Sequence, residues 1–219
     1  MNYIFDLDNT LYPADSSVWA QIDGNIKHYI MNFTGLPAEE ALRLQKSYYE
    51  TYGTTLNGLM AEHGIDPEDY LKPVHKINLD TLQYNARLDE ALTRIDAPKY
   101  IFTSGTKQHA GRVLEKLQLT RHFTYVFDIR SSGFTPKPKR KAYEEFLALH
   151  PLDPSKTLFI EDLPRNLEVP KAMGMKTLLV TSPVKVTRES FEKAGADAPY
   201  IDHITDNLAE FLLDNYLQK

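Results

Sequence analysis

Apolar residues along the chain fall into two kinds of run. Five runs are short, continuous and rich in β-branched or aromatic side chains: Tyr3 to Leu7, Lys99 to Phe102, Tyr125 to Phe127, Thr157 to Ile160 and Thr177 to Val180. Continuous runs of this length predict strands buried on both faces. Between the later four, apolar positions recur at helical spacing over Gly105 to Leu117, Lys139 to Leu149 and Pro164 to Met173, and Gly174 stands where a helix stop is expected. Strand and helix alternating in this way predict an α/β fold built on a doubly wound parallel sheet.

The first run breaks the rhythm, because about ninety residues separate it from the second, far more than one crossover needs. The intervening stretch carries helical spacing instead, near Ser17 to Phe33, Pro37 to Tyr52, Leu56 to Glu62 and Pro67 to Leu71. Glu39 and Glu40 fall in the first turn of the second of these, where the helix dipole favours acids. The pattern predicts an inserted α-helical subdomain over residues 14–84 and a core formed by residues 1–13 and 85–219. Tyr48, Tyr49, Tyr52 and Tyr84 read first as packing residues of that subdomain.

Composition narrows the chemistry. With 42% hydrophobic residues among 219, the chain can bury a substantial core, which argues against a disordered or fibrous protein. The net charge is -5 and no stripe is dense in Lys or Arg, so nucleic acid is not an expected partner, whereas a small anionic ligand needs only one local cationic site. Zero cysteines exclude disulfides, thiolate metal sites and a catalytic thiol, which leaves oxygen and imidazole donors suited to a hard cation. The opening MNYIFDLDNT is neither basic nor long and apolar, and no apolar run approaches the roughly 20 residues of a membrane span. A cytoplasmic protein with no membrane partner is therefore expected, and no motif speaks to oligomeric state.

Polar residues cluster at the ends of the apolar runs: Asp6 and Asp8 at the first, Thr103 and Ser104 at the second, Asp128 at the third, Glu161 and Asp162 at the fourth. In an open parallel sheet these ends line the ligand crevice. A single Asp in such a place is commonly a turn former or helix cap, the reading favoured for Asp128. Asp6 and Asp8 are two apart, so strand periodicity predicts that both point into one cavity. Asp6, a backbone carbonyl near Asp8, and Asp162 would form an oxygen-rich Mg²⁺ site of the kind that accompanies phosphate. Lys137, stiffened between Pro136 and Pro138, and the Ser104 and Gly105 amides at the start of a helix supply positive charge and dipole for that anion.

In this order the residues resemble the haloacid dehalogenase-like phosphohydrolase superfamily, whose opening signature corresponds to Asp6-Leu7-Asp8-Asn9-Thr10. Its hydroxyl residue corresponds to Thr103, its lysine to Lys137 and its acidic pair to Glu161-Asp162, and the helical insertion resembles the family's first-type cap. The stretches YGTTLNGL, IFTSGTKQHA, PKPKRKAYEEF and FIEDLPRNLEVPKAMGMKTLLV are similar to the pyrimidine 5′-nucleotidase group, with a departure at Ser104, where relatives often carry Asn. The resemblance implies a Mg²⁺-dependent phosphatase in which Asp6 is the nucleophile and Asp8 the general acid and base. Lys137 and Thr103 would stabilise the transferring group, and Glu161 would orient metal-bound water, with Asn166 supporting the metal shell. It implies a nucleoside monophosphate, UMP or CMP, as substrate, with Tyr52, Thr54, Thr55, His75 and His109 as candidate contacts to the leaving group. A sugar phosphate or phosphoglycolate would be served by the same core, and a non-catalytic binding module is the alternative outside enzymes.

Overall fold

The computed structural model describes residues 1–182 and 197–216. Contact density divides the chain into two compact units, Met1–Ser16 with Leu82–Lys219, and Ser17–Thr81. The first unit holds a six-stranded sheet: β1 (Asn2–Phe5), β2 (Lys99–Phe102), β3 (Tyr125–Phe127), β4 (Thr157–Glu161), β5 (Lys176–Val180) and β6 (His203–Thr205), in the order β3-β2-β1-β4-β5-β6. Every neighbouring pair is parallel, with Phe5 beside both Ile101 and Ile160. All residues of β2 and β4 are buried, as continuous apolar strands between two helical layers should be.

One layer packs through an aromatic cluster. Phe102 of β2 meets Phe127 edge-on at 4.8 Å between ring centroids and stacks on Phe146 at 5.6 Å. Phe146 and Tyr143 lie on α7 (Arg140–Leu149), and Tyr143 also packs on Phe159 of β4. The sheet unit further contains α5 (Ala86–Arg94), α6 (Lys107–Lys116), α8 (Glu168–Ala172) and α9 (Leu208–Tyr216). The helix expected from Gly105 begins two residues later, because the Thr106 side chain caps it by accepting from the His109 amide. The helix expected over Pro164 to Met173 is instead a 3₁₀ turn, Pro164–Leu167, leading into the short α8. The sequence reading contained no counterpart to β6, a three-residue strand with an exposed Ile204.

The second unit consists of α1 (Val18–Thr34), α2 (Ala38–Tyr52), α3 (Thr55–His63) and α4 (Pro67–Val74). Tyr48 does pack: it is buried, its hydroxyl shares a 2.8 Å hydrogen bond with His63 Nε2, and its ring lies directly against Gly58 of α3. A Cβ at position 58 would collide with Tyr48 Cβ and Cγ, so glycine is required there for close approach rather than for backbone freedom. Gly58→Ala is therefore expected to destabilise. An alanine in a helix gains about 1 kcal/mol over glycine, but forcing a methyl into a packed contact costs about 1–3 kcal/mol, and His63 restrains the tyrosine from swinging aside. Gly24→Ala in α1, where a Cβ meets nothing within 4 Å, is the matched control and should raise thermal stability. Circular dichroism melts of the two variants should move in opposite directions. No described helix is long and apolar enough to cross a membrane.

Candidate active site

The central strand β1 has β2 on one side and β4 on the other, so connections wind away from it in both directions and a crevice opens at the strands' carboxyl ends. Asp6 follows β1 directly, and its amide still donates to Ile160 O at 2.8 Å. That bond holds Asp6 beside the end of β4, where Glu161 and Asp162 follow. One carboxylate oxygen from each of the three lies within 4.8 Å of the others. The Lys137 ammonium, delivered by the loop between β3 and α7, is buried against this cluster. It donates to Asp6 Oδ1 at 2.6 Å, to Glu161 Oε2 at 2.6 Å and to Phe102 O at 3.1 Å, which occupies all three of its protons. The same ammonium sits 5.6 Å from the centroid of the Phe102 ring.

Three clustered carboxylates with one cation leave an excess of negative charge in a poorly solvated place. Burial and the neighbouring Glu161 push the Asp6 carboxyl up to about 7 against the opposing pull of Lys137. Burial, Glu161 and Asp6 likewise hold Asp162 well above the usual carboxylate range. Burial alone would lower Lys137, but the two carboxylates outweigh it and keep the ammonium charged. Such an arrangement calls for further positive charge. The donors are all oxygens, and just after the acidic pair Asn166 contributes a buried Oδ1 with no hydrogen-bond partner among the described residues, so the residues fit a hard divalent cation.

The Asp8 carboxylate is not one of the three clustered ligand oxygens, although its charge helps to raise Asp6, and its direction is set by a turn rather than by strand periodicity. β1 ends at Phe5, and the chain turns immediately: Leu7 O accepts from the Leu11 amide at 3.1 Å and Asn9 adopts a left-handed conformation, φ 61°. A period of two holds only while the strand continues. The turn directs Asp8 instead to Tyr12 and His109. Tyr12 donates to Asp8 Oδ1 at 2.5 Å, and His109 Nε2 lies 2.8 Å from the same oxygen. Burial and Asp8 raise the Tyr12 hydroxyl well above its ordinary value, so it stays a donor. Burial lowers the His109 value, but the charge and hydrogen bond of Asp8 more than compensate, for a net rise.

The remaining candidates divide. Thr103 is buried at the end of β2, and its Oγ1 accepts the Gly105 amide at 2.9 Å. That amide, expected to face an anion, is thus already used by the preceding threonine. Ser104 between them is exposed. Asp128 caps α6 through the Lys107 amide and also accepts from Ser131, as a turn-forming residue does. His109, expected at the leaving group, is instead fully buried against Asp8. In the helical unit Thr55 is buried, with its hydroxyl on Gln45 O, and Thr54 caps α3, so both serve the unit's own structure. Tyr52 is half-buried and donates to Glu62, and the His75 ring bonds to Leu71 O. Arg165 is half-buried beyond the acidic pair. The sequence reading missed Tyr12, whose place two residues after the Asp-x-Asp-x-Thr stretch was its one signal, and Tyr143, whose hydroxyl holds Asn166 O at 2.8 Å.

A parallel α/β sheet with acids, a hydroxyl and a buried lysine at its carboxyl edge defines a hydrolase of the haloacid dehalogenase class. The family model "Haloacid dehalogenase-like hydrolase" matches residues 3–180, and the chain belongs to this family. It is 29% identical over 193 residues to "Phosphate metabolism protein 8" of Saccharomyces cerevisiae, a match covering 79% of this chain and 59% of that protein. The chain thus spans under two thirds of that relative's length. Among solved structures, the HAD-hydrolase YfnB from Bacillus subtilis, bound to magnesium, superposes with a TM-score of 0.60 at 15% identity, covering 100% of this chain and 98% of that one. An L-2-haloacid dehalogenase from Xanthobacter autotrophicus superposes with a TM-score of 0.58 at 11% identity over 96% of each chain. At these identities the likeness to solved structures is one of fold.

Proposed function

We propose that the protein is a Mg²⁺-dependent phosphomonoesterase acting on pyrimidine nucleoside 5′-monophosphates, UMP and CMP, through a phosphorylated Asp6. The observation that carries the phosphatase reading is the buried ammonium of Lys137 bonded at once to Asp6 and Glu161, with Asp162 alongside. A carboxylate can approach a phosphate only where positive charge offsets the repulsion between them. Asp6 and Asp162 would hold Mg²⁺, with Glu161 and Asn166 supporting its shell. When bound, Mg²⁺ supplies positive charge that stabilises the phosphoryl group.

The chain's own residues then divide the work. Asp6 attacks phosphorus as the ester P–O bond breaks, and Asp8 gives a proton to the departing alkoxide. In the second half, Asp8 takes a proton from water as that water attacks phosphorus, the Asp6–phosphorus bond breaks, and inorganic phosphate leaves. Lys137 keeps Asp6 oriented by one oxygen, and the Thr103 hydroxyl contributes a donor at the end of β2. In this reading the helical unit is the substrate-selecting cap. The pyrimidine specificity rests on the likeness of four sequence stretches to the nucleotidase group, and a sugar phosphate or phosphoglycolate is the competing substrate. The name of the yeast relative, which speaks of phosphate metabolism, supports the phosphatase class without choosing among substrates.

Phosphate release from UMP, CMP, AMP, GMP, sugar phosphates and phosphoglycolate, with Mg²⁺ and with chelator, tests the reading. Metal-dependent release led by UMP and CMP is expected. A lead by sugar phosphates or phosphoglycolate would overturn the pyrimidine specificity and keep the mechanism. No release from any ester would overturn the phosphatase.

A further inference from the structure

We infer that Tyr12 and His109 are positioning residues for proton transfer: together they grip one oxygen of Asp8 and thereby fix the plane in which its carboxyl meets the leaving group. The inference rests on the acid and base role proposed for Asp8. Its observation is the convergence of two donors on Oδ1, Tyr12 hydroxyl at 2.5 Å and His109 Nε2 at 2.8 Å.

A carboxylate oxygen has two lone pairs in its plane, and here both are occupied. Two donors on one oxygen leave the carboxyl plane little freedom to turn. The ring nitrogen facing a carboxylate carries its proton whether the imidazole is neutral or charged, so His109 remains a donor through the cycle. Each donor is fixed in its own place. Tyr12 is buried on the turn that follows β1, and His109 is buried in the first turn of α6. The start of α6 is itself anchored, by Thr106 on the His109 amide and by Asp128 on the Lys107 amide. Asp8, on a turn beyond the strand, is thus tied to an element 101 residues away in the chain. An unrestrained aspartate would rotate about both of its side-chain bonds. Holding the carboxyl plane presents Oδ2 in one direction, and displacement of a reacting group by 1 Å can cost about a hundredfold in rate.

The test compares esters that differ in their need for an acid. A p-nitrophenolate leaves without help, whereas an alkoxide must be protonated. Phosphoenzyme formation is followed in single turnovers of the full chain with p-nitrophenyl phosphate and with the alkyl phosphate that the parent cleaves fastest in the panel above. In His109→Ala and Tyr12→Phe the ratio of alkyl to aryl rate is expected to fall about 10- to 100-fold, with the larger effect in Asp8→Asn. His109→Gln, which keeps an N–H donor, should recover part of the ratio. Equal loss on both esters, or no loss, in variants that melt like the parent would overturn the inference and reduce the pair to packing. Should His109→Ala fail to fold, Tyr12→Phe decides, since it removes only a hydroxyl. A normal ratio in Asp8→Asn, or a parent that forms no phosphoenzyme, would overturn the proposed role of Asp8 itself, and the inference with it.

Discussion

Asp6→Asn is expected to abolish turnover while leaving a folded protein. The substitution preserves size and planarity, so Lys137 keeps its bonds to Glu161 Oε2 and Phe102 O, and one of three mutually repelling acids is removed. The thermal midpoint should stay within about 5 °C of the parent, or rise, because a carboxyl pushed up to about 7 is not at ease in its ionised form. An amide cannot form the acyl phosphate, so kcat should fall by at least about 10⁴-fold on every phosphomonoester. Rapid quench and intact-mass measurement should show a phosphorylated parent and an unmodified variant. Metal-dependent turnover above about 1% of the parent would remove Asp6 from the nucleophile's position.

The parts of this structure legible in the sequence are those where a local pattern and the final environment agree. Strands buried on both faces are written as continuous apolar runs, and five of the six strands among the described residues carry that mark. β6 did not, because a three-residue edge strand of His203, Ile204 and Thr205 buries too little to need it. Likewise α5 escaped notice although Leu88, Ala91 and Leu92 form its buried face. Its nine residues fall in the stretch assigned to the core, between the insertion and the second apolar run, where no helix is expected. The gathering of Asp6, Lys137, Glu161 and Asp162 followed from a topological rule, that the carboxyl ends of parallel strands converge. Side-chain direction beyond the strand ends followed from nothing local. The hydrogen-bond partners of Asp8 lie on a turn and on a helix far along the chain, where no local pattern points. The apolar spacing places a helix start at Gly105 and so predicts an anion-binding amide there. The Thr103 hydroxyl accepts that amide, and α6 begins at Lys107.

The electrostatic design makes its strongest prediction at Lys137. Methionine there would keep an apolar stem of similar length over Phe102 and remove the only ammonium bonded to Asp6 and Glu161 among the described residues. Breaking a buried ion pair by deleting one partner costs about 3–5 kcal/mol, because the remaining charge is left uncompensated. Buried carboxyls can escape part of that cost by taking up a proton, so the penalty should depend on pH. An acid whose folded-state pKa is raised binds its proton more tightly in the folded than in the unfolded chain, so it contributes stability at low pH and loses it as pH rises through the folded value. Asp6, pushed up to about 7 even with Lys137 pulling it down, and Asp162, also raised, both obey this sign. Without the lysine the proton is held to still higher pH. Lys137→Met should therefore melt only slightly below the parent near pH 5, with a deficit that widens steadily toward pH 8. Added Mg²⁺ should narrow the deficit at pH 8 more than at pH 5, since a cation replaces the missing charge only where the acids have ionised. Turnover should fall by at least about 10²-fold, since the developing phosphoryl charge loses a fixed cation. Scanning calorimetry across that range, with and without Mg²⁺, measures both trends. A deficit independent of pH would mean that Lys137 serves packing rather than charge, and would leave the approach of a carboxylate to phosphate at this site without its physical basis.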